Sequence, residues 1–127
     1  MIETDVQNKI RIEAAKHNIW LMRNNVGVLF NKDGKPVRFG LMNDSKAVNR
    51  QCKSSDLIGI HGGTGRFVAI ECKAPDWRWR GTDREAAQER FINAIKERGG
   101  VAGFARSWED VEEWEDVEAW LSSFRNP

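Results

Sequence analysis

The chain has 127 residues, of which 40% are apolar and 31% charged, and its formal net charge is +1. This composition is typical of one soluble globular domain rather than of a disordered polyelectrolyte. The apolar stretches are only a few residues long, whereas a membrane helix needs about 20, so we expect no membrane partner.

The N-terminus and the cysteines favour a cytoplasmic protein. The first residues, Met-Ile-Glu-Thr-Asp, contain neither the basic nor the apolar segment of a secretory signal. Two cysteines, Cys52 and Cys72, are too few for a disulfide framework. We therefore expect the protein to work in reducing cytoplasm.

The small net charge hides an uneven distribution along the chain. Residues 107–127 contain seven acids and one base, so residues 1–106 carry 19 bases against 12 acids, a net charge of +7. A basic body is compatible with a nucleic-acid partner and predicts binding that weakens steeply with salt. Many solvated surfaces have a similar charge, so this balance alone favours nucleic acid only slightly.

The first third of the chain predicts a helix, a strand and a hairpin. Apolar residues four positions apart indicate a helix from about Thr4 to Lys16, and the apolar run 19–23 indicates a strand. Two more short strands, 26–30 and 37–39, flank the dipeptide Asp33-Gly34, which is typical of hairpin turns.

The middle of the chain predicts a long loop and then a second hairpin. Residues 41–54 are polar and unpatterned, and we interpret them as a loop whose length suggests function or mobility. Strands over 56–60 and 66–73 follow, and the turn that joins them contains Gly62-Gly63.

The last part of the chain predicts a helix, a strand and a helix. After a loop at 76–82, apolar residues at helical spacing indicate a helix over 83–98, which ends at Gly99-Gly100. A strand over 101–105 follows, and Ser107 begins a motif that caps a last helix. This order of elements predicts an α/β fold with a mixed central sheet and helices packed against it.

The acidic tail contains a six-residue repeat that begins at Trp108, at Trp114 and, in part, at Trp120. Six residues do not match the helical period, so one continuous helix would leave at least one of these tryptophans partly exposed. We favour the interpretation that the repeat only extends the last helix. The alternative is that residues 108–120 form a surface for a partner protein or a second copy.

Three charged residues, Asp56, Glu71 and Lys73, stand out among apolar strand residues. Glu71 and Lys73 are two positions apart on one strand, so their side chains lie on the same face of the sheet. Pairing Ile60 with Phe67 across the second hairpin places Asp56 opposite Glu71. In that register two carboxylates and an ammonium group meet at one end of the sheet.

This combination of residues suits a metal-dependent reaction. Two carboxylates and a backbone carbonyl are hard oxygen ligands, which Mg²⁺ or Mn²⁺ prefers. A metal there lowers the pKa of a bound water and stabilises charge on a phosphate, and a neighbouring lysine orients the attacking water. The alternative is structural: Asp56 begins a strand beside a turn, while Glu71 and Lys73 face solvent as a cross-strand pair.

Several segments match the motifs of one known family. In chain order they are Arg23-Asn24-Asn25-Val26-Gly27, Val37-Arg38-Phe39-Gly40, Ser55-Asp56-Leu57-Ile58-Gly59, Phe67-Val68-Ala69-Ile70-Glu71-Cys72-Lys73, and Gln88 with Phe91 and Gly99-Gly100. Together they resemble the VRR-NUC domain of the PD-(D/E)XK nuclease superfamily, and most closely its stand-alone phage and bacterial members. The resemblance covers the chain from Glu3 to about Trp114.

The resemblance implies a restriction-endonuclease-like α/β core and a metal-dependent phosphodiesterase. It implies a single domain over residues 1–127, with an acidic, tryptophan-rich extension from about residue 114. The catalytic residues that it implies are Glu3, Asp56, Glu71, Lys73 and Gln88.

The resemblance also assigns roles to these residues. Asp56 and Glu71 would bind Mg²⁺ or Mn²⁺ together with the backbone carbonyl of Cys72. Lys73 would position the attacking water, and Gln88 would help to fix the site. Glu3 matches the family's N-terminal acid, and Glu13, further along the same helix, is the alternative.

The stand-alone members are similar in fold to Holliday-junction resolvases, which act as dimers on four-way junctions. The resemblance therefore implies a DNA endonuclease that is selective for branched DNA and acts as a homodimer, in a bacterial cell or a phage-infected host. Two alternatives stay open. One is a non-catalytic module of the same fold that binds DNA or a partner, and the other is an enzyme that needs a partner, such as a helicase, for targeting.

Basic and amide side chains near the motifs are candidates for contacts with DNA phosphates. They are Arg23, Asn24, Asn25, Arg38, Lys46, Arg50 and Lys53. For each of them alone, a solvated basic surface is the alternative. The run Trp77-Arg78-Trp79-Arg80 suits either stacking on bases or packing in the protein, and both interpretations stay open.

Overall fold

The strands form two separate sheets, around which the helices pack. The computed structural model describes residues 2–125. In chain order the elements are α1 (Glu3–Ala15), β1 (Ile19–Arg23), β2 (Gly27–Phe30), β3 (Pro36–Phe39), α2 (Lys46–Gln51), β4 (Leu57–His61), β5 (Phe67–Cys72), α3 (Asp83–Glu97), β6 (Val101–Ala105), α4 (Trp108–Glu112) and α5 (Glu115–Arg125).

The central sheet has four strands in the order β1-β4-β5-β6. The pairs β1–β4 and β4–β5 are antiparallel, whereas β5 and β6 are parallel and are connected through α3. Strands β2 and β3 form a hairpin of their own, which is not hydrogen-bonded to the central sheet. The expected α/β fold with a mixed central sheet flanked by helices is therefore confirmed.

Each face of the central sheet has its own core. On one face α1, α4 and α5 cover the sheet, and the residues that predicted α1, namely Val6, Ile10 and Ala14, are buried there. On the other face Phe91 and Ile92 of α3 pack over β5 and β6. Because side chains alternate along a strand, β5 supplies both cores and is buried from Val68 to Cys72.

The register of the second hairpin is the one that the sequence predicts. Ile60 pairs with Phe67, and the pairing continues to Leu57 and Ile70. The next step along the two strands brings Asp56 and Glu71 together. The alternation also places the Cys72 side chain in the core with α1, on the face opposite Glu71.

The prediction of a loop over residues 41–54 is wrong in part, because this segment contains α2. The Ser45 hydroxyl caps this helix by accepting a hydrogen bond from the backbone N–H of Val48 at 3.1 Å. The helix packs against α3. It has only six residues, and none of them is fully buried, so no apolar periodicity reveals it.

The tail forms two helices rather than the single last helix that we expected. The Ser107 hydroxyl accepts a hydrogen bond from the N–H of Asp110, which confirms the predicted cap of α4. The helix is interrupted between α4 and α5. This interruption lets Trp114 and Trp120 both pack against the core while Trp108 is buried. None of the helices within residues 2–125 is long and apolar enough to cross a membrane.

Candidate active site

Asp56 and Glu71 are held together at the end of the β4–β5 pair. The backbone N–H of Asp56 donates to Glu71 Oε2 at 3.1 Å, and the backbone N–H of Cys72 donates to Asp56 Oδ2 at 2.9 Å. Each strand therefore binds the carboxylate of the other. The two carboxylates converge as the register predicts, and backbone hydrogen bonds fix their positions.

Gln88 on α3 connects Glu71 to Lys73. Its Nε2 donates to Glu71 Oε1 at 2.8 Å, and its Oε1 accepts from Lys73 Nζ at 2.8 Å. All three side chains are buried, with Gln88 only 2% exposed. The alternative that Glu71 and Lys73 face solvent as a cross-strand pair is therefore wrong.

Two aromatic rings lie beside the Lys73 ammonium group. Lys73 Nζ lies 5.5 Å from the centre of the Trp77 ring and 5.7 Å from that of Phe104. Trp77 stacks on Phe104 at 5.1 Å and donates from Nε1 to Glu85 Oε2 at 2.8 Å. Of the two interpretations of the Trp–Arg run, packing is the one that describes Trp77. Trp79 touches the edge of Phe104 but is largely exposed.

Burial raises the pKa of both carboxyl groups. Burial, followed by the negative charge of Asp56, raises the pKa of Glu71 to about 8, although the Lys73 ammonium opposes the shift. Burial also raises the pKa of Asp56, and the charge of Glu3 adds to that effect. Near neutral pH the pair therefore favours a positive ligand, either a proton or a cation, between its oxygens.

The donor set fits a divalent cation. Within the described residues no group of three or more His, Cys, Asp or Glu side chains is arranged to hold a metal. Asp56 and Glu71 are the two carboxylates that meet here among residues 2–125, and the remaining ligands of a cation would be backbone carbonyl and water oxygens. Mg²⁺ characteristically binds proteins in this way, through one or two carboxylates while it keeps several waters.

Of the two acids proposed on α1, Glu3 is the one whose charge reaches this site. Glu3 is exposed, and its charge adds to the burial that raises the pKa of Asp56 and of Cys72. Glu13 lies about 15 Å further along the helix and pairs with Lys16 at 2.9 Å. It lines a different, mostly apolar cavity of about 650 Å³ between α1 and α4.

A cavity of about 390 Å³ opens above the carboxylates, and its rim is basic. Arg38, Lys53 and Arg84 line it together with Asp56, Glu71 and Gln88. A second groove of about 290 Å³ continues from it between α2 and α3. The cationic side chains that line this groove are Arg38, Lys46, Arg50, Lys53 and Arg84.

The charge of this basic rim is only partly offset by the protein itself, since one acid, Asp83, also lines the groove. None of the five cations forms an ion pair within residues 2–125. Burial, together with the charges of Arg84 and Arg38, lowers the pKa of Lys53. Unpaired cations this close together repel one another, so an anion in the groove would be bound favourably.

The candidate phosphate contacts divide into three groups. Arg38, Lys46, Arg50 and Lys53 line the cavity or the groove. Asn24 lines the cavity too, but its Nδ2 donates to Ser54 Oγ at 2.7 Å and to the Ser55 carbonyl at 3.0 Å. Its amide therefore fixes the two residues that precede Asp56 and β4. Arg23 and Asn25 are exposed outside both.

Sequence analysis missed Arg84 and Asn49, which line both the cavity and the groove. A signal for Arg84 was present, since it precedes Gln88 by four residues and therefore shares its face of α3. Asn49 had no such signal, because α2 was not predicted.

No protein-family model matches this chain, and no curated protein sequence matches it. What the site does chemically therefore has to follow from its own residues.

Proposed function

We propose that this protein is a Mg²⁺- or Mn²⁺-dependent endonuclease that hydrolyses phosphodiester bonds in DNA. The observation that carries the proposal is the buried chain Glu71–Gln88–Lys73 beside Asp56, at the floor of a cavity with an unpaired basic rim. This is the arrangement that the resemblance to VRR-NUC domains implies, and we propose that the α/β core is of the PD-(D/E)XK type.

The proposed role of each site residue follows from its contacts. Asp56, Glu71 and the Cys72 carbonyl would hold the cation, which supplies a water of lowered pKa and stabilises charge on the phosphate. Lys73 carries its ammonium group beside this pair, where it can orient the attacking water and stabilise negative charge. Gln88 keeps Lys73 and Glu71 at fixed positions, because its amide binds both. Trp77 shields Lys73 from bulk water.

The basic groove gives the DNA backbone a place beside the carboxylates. Arginine and lysine side chains contact phosphate oxygens and position a nucleic acid without reading its sequence. Arg38, Lys53 and Arg84 line both the cavity and the groove, so they would contact phosphates nearest the cut. Lys46 and Arg50 would contact phosphates further along the strand.

Homodimer formation and selectivity for branched DNA belong to the same proposal. Helix α3 packs over β5 and β6 and leaves exposed a row of apolar side chains across three strands: Trp20 pairs with Ile60, and Ile60 with Phe67. Trp20 is 66% exposed and lies on an edge strand. A second copy on this face, related by a two-fold axis, would cover the row and provide two sites for a symmetric junction.

A cleavage panel tests the proposal. The substrates are a four-way junction, a flap, a splayed arm, a duplex and a single strand, each with Mg²⁺, Mn²⁺ or EDTA. The variants are Glu71→Gln and Lys73→Met, with Glu89→Gln and Lys96→Met as matched controls on exposed positions of α3. We expect metal-dependent cutting that both site variants abolish and both controls retain.

Two outcomes would contradict the proposal. Cutting that survives Glu71→Gln and Lys73→Met would mean that the activity does not belong to this site. Absence of cutting with every substrate, together with tight DNA binding in Ca²⁺, would favour the non-catalytic binding module.

A further inference from the structure

The β2–β3 hairpin exposes an unusual amount of apolar surface. Its two strands have eight residues, and five of these are large, exposed apolar side chains: Val28, Leu29, Phe30, Val37 and Phe39. Phe30 is 71% exposed, the highest value among the large apolar residues that the structure describes. Surface of this kind marks a binding site more often than an accident of folding.

Side-chain hydrogen bonds hold the two strands of the hairpin together at both ends. At its base the buried Asn43 donates from Nδ2 to the carbonyls of Gly27 and Phe39, at 2.8 and 2.9 Å, and so ties the two strands together. At its tip Asn31 Oδ1 accepts hydrogen bonds from the backbone N–H groups of Asp33 and Lys35. These hydrogen bonds maintain the strand register that defines the two faces of the hairpin.

One face of the hairpin continues the wall of the cavity above the carboxylates. The register pairs Val28 with Arg38 and Phe30 with Pro36, so these four side chains share a face. Val28 and Arg38 line the cavity that also contains Asp56. Phe30 lies two residues beyond Val28 on the same face, which is about 7 Å further out.

Charge identifies what this face binds. The hairpin carries three bases, Lys32, Lys35 and Arg38, against one acid, Asp33. A ligand that is negatively charged and also offers flat apolar surface therefore complements this face, on which Arg38 lies. An unpaired nucleobase on a phosphate backbone meets both requirements, because bases stack on aromatic side chains while cations contact the phosphates.

We propose that Phe30 stacks on an unpaired base next to the phosphodiester bond that is cut, with Arg38 at the adjoining phosphate. This inference rests on the proposed nuclease function and names the feature of the substrate that the site selects. Bases of a continuous duplex present no free face, whereas branch points and single strands do. The hairpin would therefore direct cleavage to branched or single-stranded DNA.

Binding in Ca²⁺ tests this inference without requiring cleavage. A splayed-arm DNA and a continuous duplex are titrated with the wild-type protein, Phe30→Ala, Phe30→Trp and the control Leu29→Ala, whose exposed side chain lies on the opposite face of the same strand. We expect Phe30→Ala to weaken binding of the splayed arm about tenfold and to leave duplex binding unchanged. Phe30→Trp should restore binding, and Leu29→Ala should have no effect.

A fluorescent base analogue, 2-aminopurine, placed beside the branch point gives a second readout. Stacking on Phe30 should change its fluorescence when the wild-type protein binds, and Phe30→Ala should remove that change. Both positions tested, Phe30 and Leu29, are exposed, so the three variants should retain the wild-type thermal midpoint.

Three results would overturn the inference. The first is an unchanged preference for the splayed arm in Phe30→Ala. The second is an equal loss of binding in Phe30→Ala and Leu29→Ala. The third is a change in sedimentation coefficient of Phe30→Ala without DNA, because that would assign this face to a second copy of the chain. These results are distinguishable from a failure of the nuclease proposal. That failure would appear as DNA binding by the wild-type protein without metal-dependent cutting. Absence of any nucleic-acid binding would reject both proposals.

Discussion

The Gln88 amide lies between Glu71 and Lys73, at 2.8 Å from each. A neutral side chain thus connects the two charged groups, which are buried on the same face of β5. An amide can donate to the carboxylate with its nitrogen and accept from the ammonium with its oxygen at the same time.

Truncation of this amide should slow catalysis more than it weakens DNA binding. Gln88→Ala leaves Glu71 and Lys73 buried without their shared partner, so we expect a loss of about 1–3 kcal/mol in the free energy of unfolding. Misplacement of Lys73 should lower kcat at least tenfold, with little change in DNA affinity. Urea unfolding and single-turnover cleavage measure the two effects, and Asn93→Ala, an exposed position on α3, is the control. Unchanged kcat would contradict the positioning role.

The raised pKa of Glu71 makes the metal-free protein less stable as pH rises. The folded state binds the proton with a pKa of about 8, against the usual 4.5 in the unfolded chain. Between these two values the folded state binds more protons, so its stability is highest at the acid end and falls with pH, by about 1.4 kcal/mol per pH unit. Urea unfolding in EDTA, at several pH values from about 5 to about 8.5, measures this slope. Glu71→Gln, which cannot titrate, should largely flatten it; an equal slope in that variant would assign the effect to other groups.

Added Mg²⁺ should reverse this trend. A cation held by Asp56 and Glu71, as proposed, would compete with the proton on Glu71, so it would bind more tightly as pH rises and that proton is lost. We expect the increase in Tm on adding Mg²⁺ to be larger near pH 8 than near pH 6, and to be absent in Glu71→Gln. Thermal melts with and without Mg²⁺ at both pH values provide the measurement. An equal increase in the variant would show that Mg²⁺ binds elsewhere.

Arg84 and Arg98 provide a matched test of the basic groove. Both lie on or directly after α3, but Arg84 lines the groove, whereas Arg98 is at the far end of the helix, about 20 Å away. Arg84→Ala should weaken DNA binding and reduce the slope of log K against log salt by about 1, as expected for one lost phosphate contact. Arg98→Ala should leave both unchanged. Fluorescence anisotropy at several salt concentrations measures both the DNA affinity and the slope. Equal effects of the two variants would contradict a defined groove.

Trp20→Glu tests where a second copy binds. Trp20 is exposed at the edge of the central sheet, so a charge there should leave the fold intact and disrupt an apolar interface. We expect the wild-type protein to sediment as a dimer and Trp20→Glu as a monomer. The control is Ile12→Glu, at an exposed position on α1, which should still sediment as a dimer. A dimer that survives Trp20→Glu would place the interface elsewhere.

The pair of carboxylates was accessible to sequence reasoning because it depends on short-range geometry. Asp56 and Glu71 belong to one hairpin, where strand alternation and a tight turn define which residues meet. The same alternation predicts the core position of Cys72. Gln88 is different: it lies on α3, and only the resemblance to a family, not a spacing, pointed to it.

By itself the sequence determined the order of most elements, the register of β4 and β5, and the apolar faces that form the two cores. These features follow from local periodicity, which neighbouring residues carry. Tertiary structure decided the burial of Lys73 beneath Trp77, the short helix α2, the separation of the β2–β3 hairpin from the central sheet, and the gathering of Arg84 with Arg38 and Lys53. The cations of the groove, and the Gln88 and Phe104 that surround Lys73, come from elements distant along the chain, so no local pattern brings them together. The helix α2 is too short and too exposed to show an apolar period, and the pattern of a hairpin does not specify which sheet its strands join.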